Sequence, residues 1–356
     1  MWDFLPKKSK ANFKEQKYFR FAVHFSFMLE LIKSFPQQLS KAVDLISKFQ
    51  IKKSNKPIQN ILICGLGGSG IGGHAVIELC SSELKVPVVV NNSYDLPSFV
   101  TENTLVILSS YSGNTEEILY VGESLKSKGF SAVCITSGGK LQQMATLNNW
   151  DCLLIPAGFP PRTCFGYSVL FQLSVLQQND LISKNYLDET LNTIQLLEKE
   201  QSAIQEIAKV AAQKLNNKLF GIFADQWFHS LTVRSKQQFN ENSKSLCWAN
   251  VFPELNHNEL VAWRGKKDLL SILLFRSKLE HPRNTHRVNF SKEVIAATGC
   301  EVIELDAVGN SHFQQYFYFI HLTDWISFYL AELQHYDPME IDVLNKLKAH
   351  LADLVN

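Results

Sequence analysis

Two short apolar runs in this chain each end in a turn crowded with glycine or hydroxyl side chains, and few folds accommodate both. The first is Ile61-Leu62-Ile63-Cys64, followed by Gly65-Leu66-Gly67-Gly68-Ser69-Gly70-Ile71-Gly72-Gly73. The second is Leu105-Val106-Ile107-Leu108, followed by Ser109-Ser110-Tyr111-Ser112-Gly113-Asn114-Thr115-Glu116-Glu117. Each predicts a buried parallel strand ending in a turn that opens a helix. A helix N-terminus presents unpaired N–H groups and partial positive charge, so it favours anions. Glycine admits a ligand close to the backbone, and hydroxyls add donors. Two such turns in one sheet point to a compact ligand bearing a phosphate.

The first turn satisfies GxGxxG, the dinucleotide fingerprint, which expects an acidic residue about 20 positions on to hold a ribose. Here the second strand, Val86–Val90, ends in Asn91-Asn92-Ser93, and the nearest acid, Asp95, falls in a turn before Pro97. A nicotinamide cofactor is therefore disfavoured. A nucleotide-binding GK[ST] loop is absent too. In the second turn Ser110, Ser112 and Thr115 share one loop and the first residue of a helix. An ordinary N-cap with turn serines needs one or two hydroxyls; counting Ser109, this loop has four. The expected phosphate donors are Gly67, Gly68 and Ser69 with Ser110, Ser112 and Thr115. No Lys or Arg occurs between Ile61 and Glu83 or between Tyr94 and Leu125. Neutral donors and helix dipoles, not ion pairs, are expected to hold the anion.

Charge and cysteine usage narrow the class. With 35 basic against 34 acidic residues the chain lacks a nucleic-acid footprint. Seven scattered cysteines without a CxxC pair read as reduced thiols, so a cytoplasmic setting is expected. No apolar stretch reaches membrane-spanning length. The first residues lack a signal-peptide apolar core, and Met28 is read as an alternative start, leaving an N-terminal extension before it.

A length of 356 residues predicts two domains. After an extension over 1–26, a helical segment is expected over 27–56, broken or kinked by Pro36. Strands at 61–64, 86–90, 105–109, 132–136 and 152–155 alternate with helices at 71–82, 115–128, 139–147 and 167–178, the mark of an α/β domain over 57–180. A connecting helix occupies 181–214. A second α/β series over 215–335 has strands at Leu219–Ala224, Ser245–Ala249, Leu269–Phe275 and Glu301–Leu305 and an apolar helix at 315–334. A C-terminal helix over 338–355 lies within the last segment, 336–356. The similar rhythm predicts a tandem repeat of one parallel-sheet fold.

The two turns resemble those of the sugar-isomerase (SIS) domain. Ser137-Gly138-Gly139, Pro161-Arg162 with Phe165-Gly166-Tyr167-Ser168, Asn240-Glu241-Asn242-Ser243-Lys244 and Glu254-Leu255-Asn256-His257-Asn258-Glu259 extend the match in order. Together they resemble the bifunctional phosphoglucose/phosphomannose isomerase branch of the phosphoglucose isomerase superfamily, from about Phe35 to the C-terminus. The resemblance implies two SIS-type doubly wound domains, their parallel sheets flanked by helices. It also implies aldose–ketose isomerisation of hexose 6-phosphates through a cis-enediol, without metal or other cofactor, in a homodimer whose active site is shared between subunits. Glu241 is then the proton-shuttling base, Arg162 the partner of the enediolate charge, and His257, reaching the neighbouring subunit's site, the ring-opening group. Lys348 resembles a lysine that some members bring into the site, although Met339-Glu340 stand where relatives often have Thr-Pro. Gly70 and His74 likewise replace the usual Ala and Asp. No histidine pair has zinc-ligand spacing with a third group. A non-catalytic sugar-phosphate-binding regulator and an isomerase of another phosphosugar remain the alternatives.

Overall fold

The computed structural model describes residues 13–353. The first 12 residues of the expected N-terminal extension lie outside that range. From Phe13 onward the chain is helical: α1 runs Phe13–Lys33, so helix begins well before Phe27. It stops one residue before α2, Phe35–Ile46, which carries Pro36 in its first turn. Proline tolerates that position because its missing N–H would have no partner there.

Five strands follow: β1 Asn60–Cys64, β2 Val88–Asn91, β3 Thr104–Ser109, β4 Val133–Thr136 and β5 Asp151–Leu154. They form a parallel sheet in the order β2-β1-β3-β4-β5. The helices between them are α3 Gly67–Cys80, α4 Glu116–Ser127 and α5 Gly139–Leu147, with α6 Phe165–Gln178 after β5. The winding reverses between β1 and β3, and in open α/β sheets ligands bind at such a reversal, outside the C-terminal strand ends. Both marked turns leave the sheet there.

A long helix, α7 Tyr186–Leu215, leads to the second sheet. Its strands are β6 Leu219–Asp225, β7 Cys247–Phe252, β8 Leu270–Arg276 and β9 Glu301–Asp306, all parallel, in the order β7-β6-β8-β9. The order repeats the winding of the first sheet with one strand fewer. Helices α8 His229–Asn242, α9 Pro282–Ala296, α10 His312–Leu333 and α11 Asp342–Ala352 complete the described chain. The connecting helix, expected over 181–214, starts five residues later and ends one residue later. The apolar helix expected at 315–334 starts at His312, capped by Ser311. The terminal helix starts at Asp342 instead of 338.

One core joins both sheets. It takes Ile61 and Ile63 from β1, Ile222 from β6 and Leu273 from β8, together with α6 and α10, whose side chains are buried on nearly every face. A helix apolar all round is stable only inside such a core. The polar residues of α10 are paired there: Asp324 with Arg234, Ser327 with Asn242, and His321 with Gln201 at 2.9 Å. No described helix is long and apolar enough to cross a membrane. All seven cysteines are free.

Candidate active site

Arg162 stands in a tight 3-10 turn, Pro161–Cys164, between β5 and α6. Pro160 and Pro161 fix φ for this turn. Gln38 of α2 secures it, donating to the Thr163 carbonyl at 2.6 Å and accepting from the Gly166 N–H at 3.1 Å. Arg162 is 7% exposed. Burial pulls its guanidinium below the usual arginine range, against the opposing pull of Glu241.

Glu241 and Asn242 are the last residues of α8. The helix is pinned to α10 by Arg234, whose guanidinium grips both carboxylate oxygens of Asp324, and by Asn242 Nδ2 donating to Ser327 Oγ at 3.0 Å. Arg234 also donates to the Arg162 carbonyl at 3.3 Å. Arg162 closes the constellation. Its Nε donates to Asn242 Oδ1 at 2.7 Å, one terminal nitrogen to Glu241 Oε2 at 3.0 Å, and the other to the Pro338 carbonyl. Glu241 is about a third exposed, so Arg162 orients one carboxylate oxygen while the side chain faces an opening. A half-desolvated carboxylate beside a fixed guanidinium suits proton transfer next to a developing oxyanion.

The first glycine turn approaches this pair from the sheet. The helix begins at Gly67, earlier than the expected 71, so Gly67, Gly68 and Ser69 are themselves its first turn; Gly67 and Gly68 present their N–H groups, while that of Ser69 donates to the Leu66 carbonyl at 3.1 Å. A Cβ on Gly68 would lie 3.3 Å from the Pro161 carbonyl, so this turn abuts the arginine turn. In the second turn, Ser110 Oγ and Thr115 Oγ1 share a hydrogen bond of 2.7 Å, and Thr115 occupies the N-cap of α4 without closing onto the helix. Exposed Ser112 accepts from the Asn114 N–H at 3.2 Å. Ser109 is instead a buried strand residue, which removes it from the hydroxyl count. The loop after β4 braces this turn: Ser137 donates to the Tyr111 carbonyl through Oγ at 2.6 Å and through N–H at 2.9 Å.

Two other residues stand apart in the single chain. His257 lies exposed at the end of a 3-10 turn, Glu254–His257, after β7. Lys348 lies exposed on α11, and none of the hydrogen bonds around Arg162 reaches it. Among the described residues no group of three or more His, Cys, Asp or Glu side chains is placed to hold a metal ion.

Sequence reasoning quoted Lys244 without giving it a task. Its ammonium donates to the carbonyls of Glu241 at 2.5 Å, Asp337 at 2.9 Å and Glu340 at 2.8 Å. All three acceptors are backbone atoms, and two of them lie 93 and 96 positions away in the chain, so no side-chain pattern announces them. Tyr111 was overlooked as well: its hydroxyl donates to the Pro156 carbonyl at 3.0 Å and accepts from the Phe159 N–H at 2.9 Å, joining the second turn to the arginine loop. Asn92 reaches the Gly65 carbonyl at 2.5 Å and braces the first turn.

Residues 204–351 match the model of the bacterial phospho-glucose isomerase C-terminal SIS domain. The chain is 36% identical over 339 residues to the bifunctional phosphoglucose/phosphomannose isomerase of Caldicellulosiruptor bescii, covering 92% of this chain and 99% of that protein. It is 33% identical over 305 residues to the protein of the same name from Aquifex aeolicus, covering 85% and 93%. Among solved structures, the C-terminal domain of glucosamine-fructose-6-phosphate aminotransferase from Francisella tularensis superimposes with a TM-score of 0.68 at 16% identity, covering 87% of this chain and 96% of that one. The two doubly wound sheets are thus SIS-type units. With relatives 33% and 36% identical along nearly their full lengths, the chain belongs to the bifunctional phosphoglucose/phosphomannose isomerase family.

Proposed function

We propose that this protein interconverts glucose 6-phosphate and fructose 6-phosphate, and mannose 6-phosphate with them, in the cytoplasm, through a cis-enediol. The observation that carries the reading is the Arg162–Glu241 contact at 3.0 Å beside the Gly68 turn. In the proposed units, 57–180 and 215–335, the first supplies the phosphate cradle and the second the base. The turns at Gly67, Gly68 and Ser69 and at Ser110, Ser112 and Thr115 hold the phosphate. Glu241 removes the proton from C2 and returns it to C1, while Arg162 stabilises charge on the enediolate oxygens. Net, one proton moves from C2 to C1 and one from O2 to O1, so nothing is consumed. Glucose and mannose 6-phosphates are C2 epimers with a common enediol, so one base serves both if the intermediate turns about C2–C3. His257 of a second copy opens the sugar ring, which makes the working unit a homodimer. Lys348, exposed on α11, is given no step.

Glu241→Gln keeps the shape and removes the base. Turnover of each hexose 6-phosphate, and proton exchange with D2O, should fall about 10²- to 10⁴-fold while ligand binding stays nearly unchanged. Retained turnover would reject Glu241 as the base. Retained binding with no activity in the unaltered chain would favour a sugar-phosphate sensor. Mixing Glu241→Gln with His257→Ala should regenerate activity, because each hybrid dimer contains one site with both groups intact. Two inactive variants that stay inactive after subunit exchange would rule out the shared site.

A further inference from the structure

We propose that Lys244 is a positioning residue for the isomerisation: its ammonium clamps a strap, Asp337–Glu340, against the end of α8 and so holds Arg162 and Glu241 in register. The inference rests on the reading of Glu241 as the base.

A lysine ammonium has three donors and no acceptor. Here each donor meets one carbonyl, those of Glu241, Asp337 and Glu340, at 2.5, 2.9 and 2.8 Å. The first belongs to the base itself and the other two to the strap. Between those two, Pro338 offers its carbonyl to Arg162. The strap is therefore in direct contact with the guanidinium expected to meet the enediolate, and Lys244 fixes it from both sides of that contact. Further ties are a bond of 2.7 Å from His24 Nδ1 to Asp337 Oδ2, the buried Pro338 and the partly buried side chain of Met339. Beyond the strap α11 has no buried residue, so it supplies little apolar anchorage.

The backbone of Lys244 supports the same assignment. Its φ is +54°, in the left-handed region where a helix usually ends on glycine or asparagine. A residue with a long side chain is disfavoured there, and the three carbonyl bonds offset that cost. Burial opposes the charged form of Lys244, as does Arg162 nearby, while Glu340 and Asp337 favour it.

The test compares Lys244→Met, Lys244→Gln and Lys244→Arg with the unaltered enzyme and with Glu241→Gln. In Lys244→Met the apolar stem is kept and the clamp is lost. Its kcat should fall about 10- to 100-fold, the scale set by a misplacement of about 1 Å, with KM changed less than about threefold because the phosphate donors lie elsewhere. Amide hydrogen exchange over 336–341 should rise. Lys244→Arg should restore much of both readouts, since it keeps charge and donors. Lys244→Gln, with two amide donors, should fall between and stands in if Lys244→Met does not fold. A kcat within about twofold of the unaltered enzyme in Lys244→Met, or in Lys244→Gln in its place, would overturn the proposal. So would a loss of kcat with strap exchange unchanged. If Glu241→Gln stays active, the base assignment fails; if Glu241→Gln is inactive and Lys244→Met active, only the positioning role fails.

Discussion

Arg162 engages three protein acceptors with the five N–H groups an arginine offers, which leaves two for a substrate oxygen. The identity of the residue was legible, because an arginine after two prolines and a strand is a fixed charge. Its partners were not, because Asn242, Glu241 and the Pro338 carbonyl come from distant stretches brought together only by packing. Glu78 on α3 is another buried group with a measurable consequence. It accepts from the Ser230 N–H at 2.6 Å and Ser230 Oγ at 2.5 Å, and that hydroxyl also meets Tyr316 at 2.7 Å. Burial outweighs both bonds and pushes its carboxyl up to about 8. The folded state therefore holds the proton where the unfolded chain has released it. Stability from this group is full below the unfolded pKa and declines as pH rises through the folded value. Between about pH 5 and about pH 8 the slope should approach 1.4 kcal/mol per unit at its steepest. Melting temperature measured against pH should decline less over that window in Glu78→Gln than in the unaltered protein. Parallel profiles would contradict the buried-acid reading.

Among the elements, strands with apolar runs were legible at their cores and blurred at their ends. β7 was expected at 245–249 and forms at Cys247–Phe252, because its half-buried pattern lacks the alternation that marks a boundary. α3 starts at Gly67, four residues before the expected position, since glycine argues against helix locally while the sheet and the arginine turn hold it in one. Residues 338–340 of the strap fall in the helix expected from 338, and are instead part of a segment held by carbonyl bonds to Lys244 and Arg162, which no periodicity encodes. The loops after β3 and β4 behave as one body. Gly113 has φ +66°, and a Cβ there would fall 1.8 Å from the Gly138 carbonyl. Gly113→Ala is thus expected to lose at least about 2 kcal/mol in urea unfolding and to raise KM by displacing Ser112 and Thr115. Unchanged stability and KM would mean that the two loops yield independently.

For the whole molecule, the tandem rhythm read from the sequence is matched by the same winding in both sheets, but the sharing of one core between them was not apparent. That core comes from α6 and α10, whose apolar residues show no preferred face from which a partner could be inferred. The shared core explains how the Gly68 turn of one sheet and Glu241, from the helix after the first strand of the other, come to lie side by side. The two turns proposed to hold the phosphate carry no Lys or Arg of their own, and Arg162, which abuts the first, is already paired with Glu241, which has a further consequence. The turns' attraction for a dianion is short-ranged, and the formal net charge of the chain is only +1, so little distant field guides the substrate in. KM for a hexose 6-phosphate should change less than about twofold between roughly 0.05 and 0.5 M potassium chloride, whereas a steep rise would reveal cationic side chains at the phosphate. An anion held by oriented dipoles at contact responds only weakly to ionic strength, so such an enzyme would keep its affinity in dilute and concentrated salt alike.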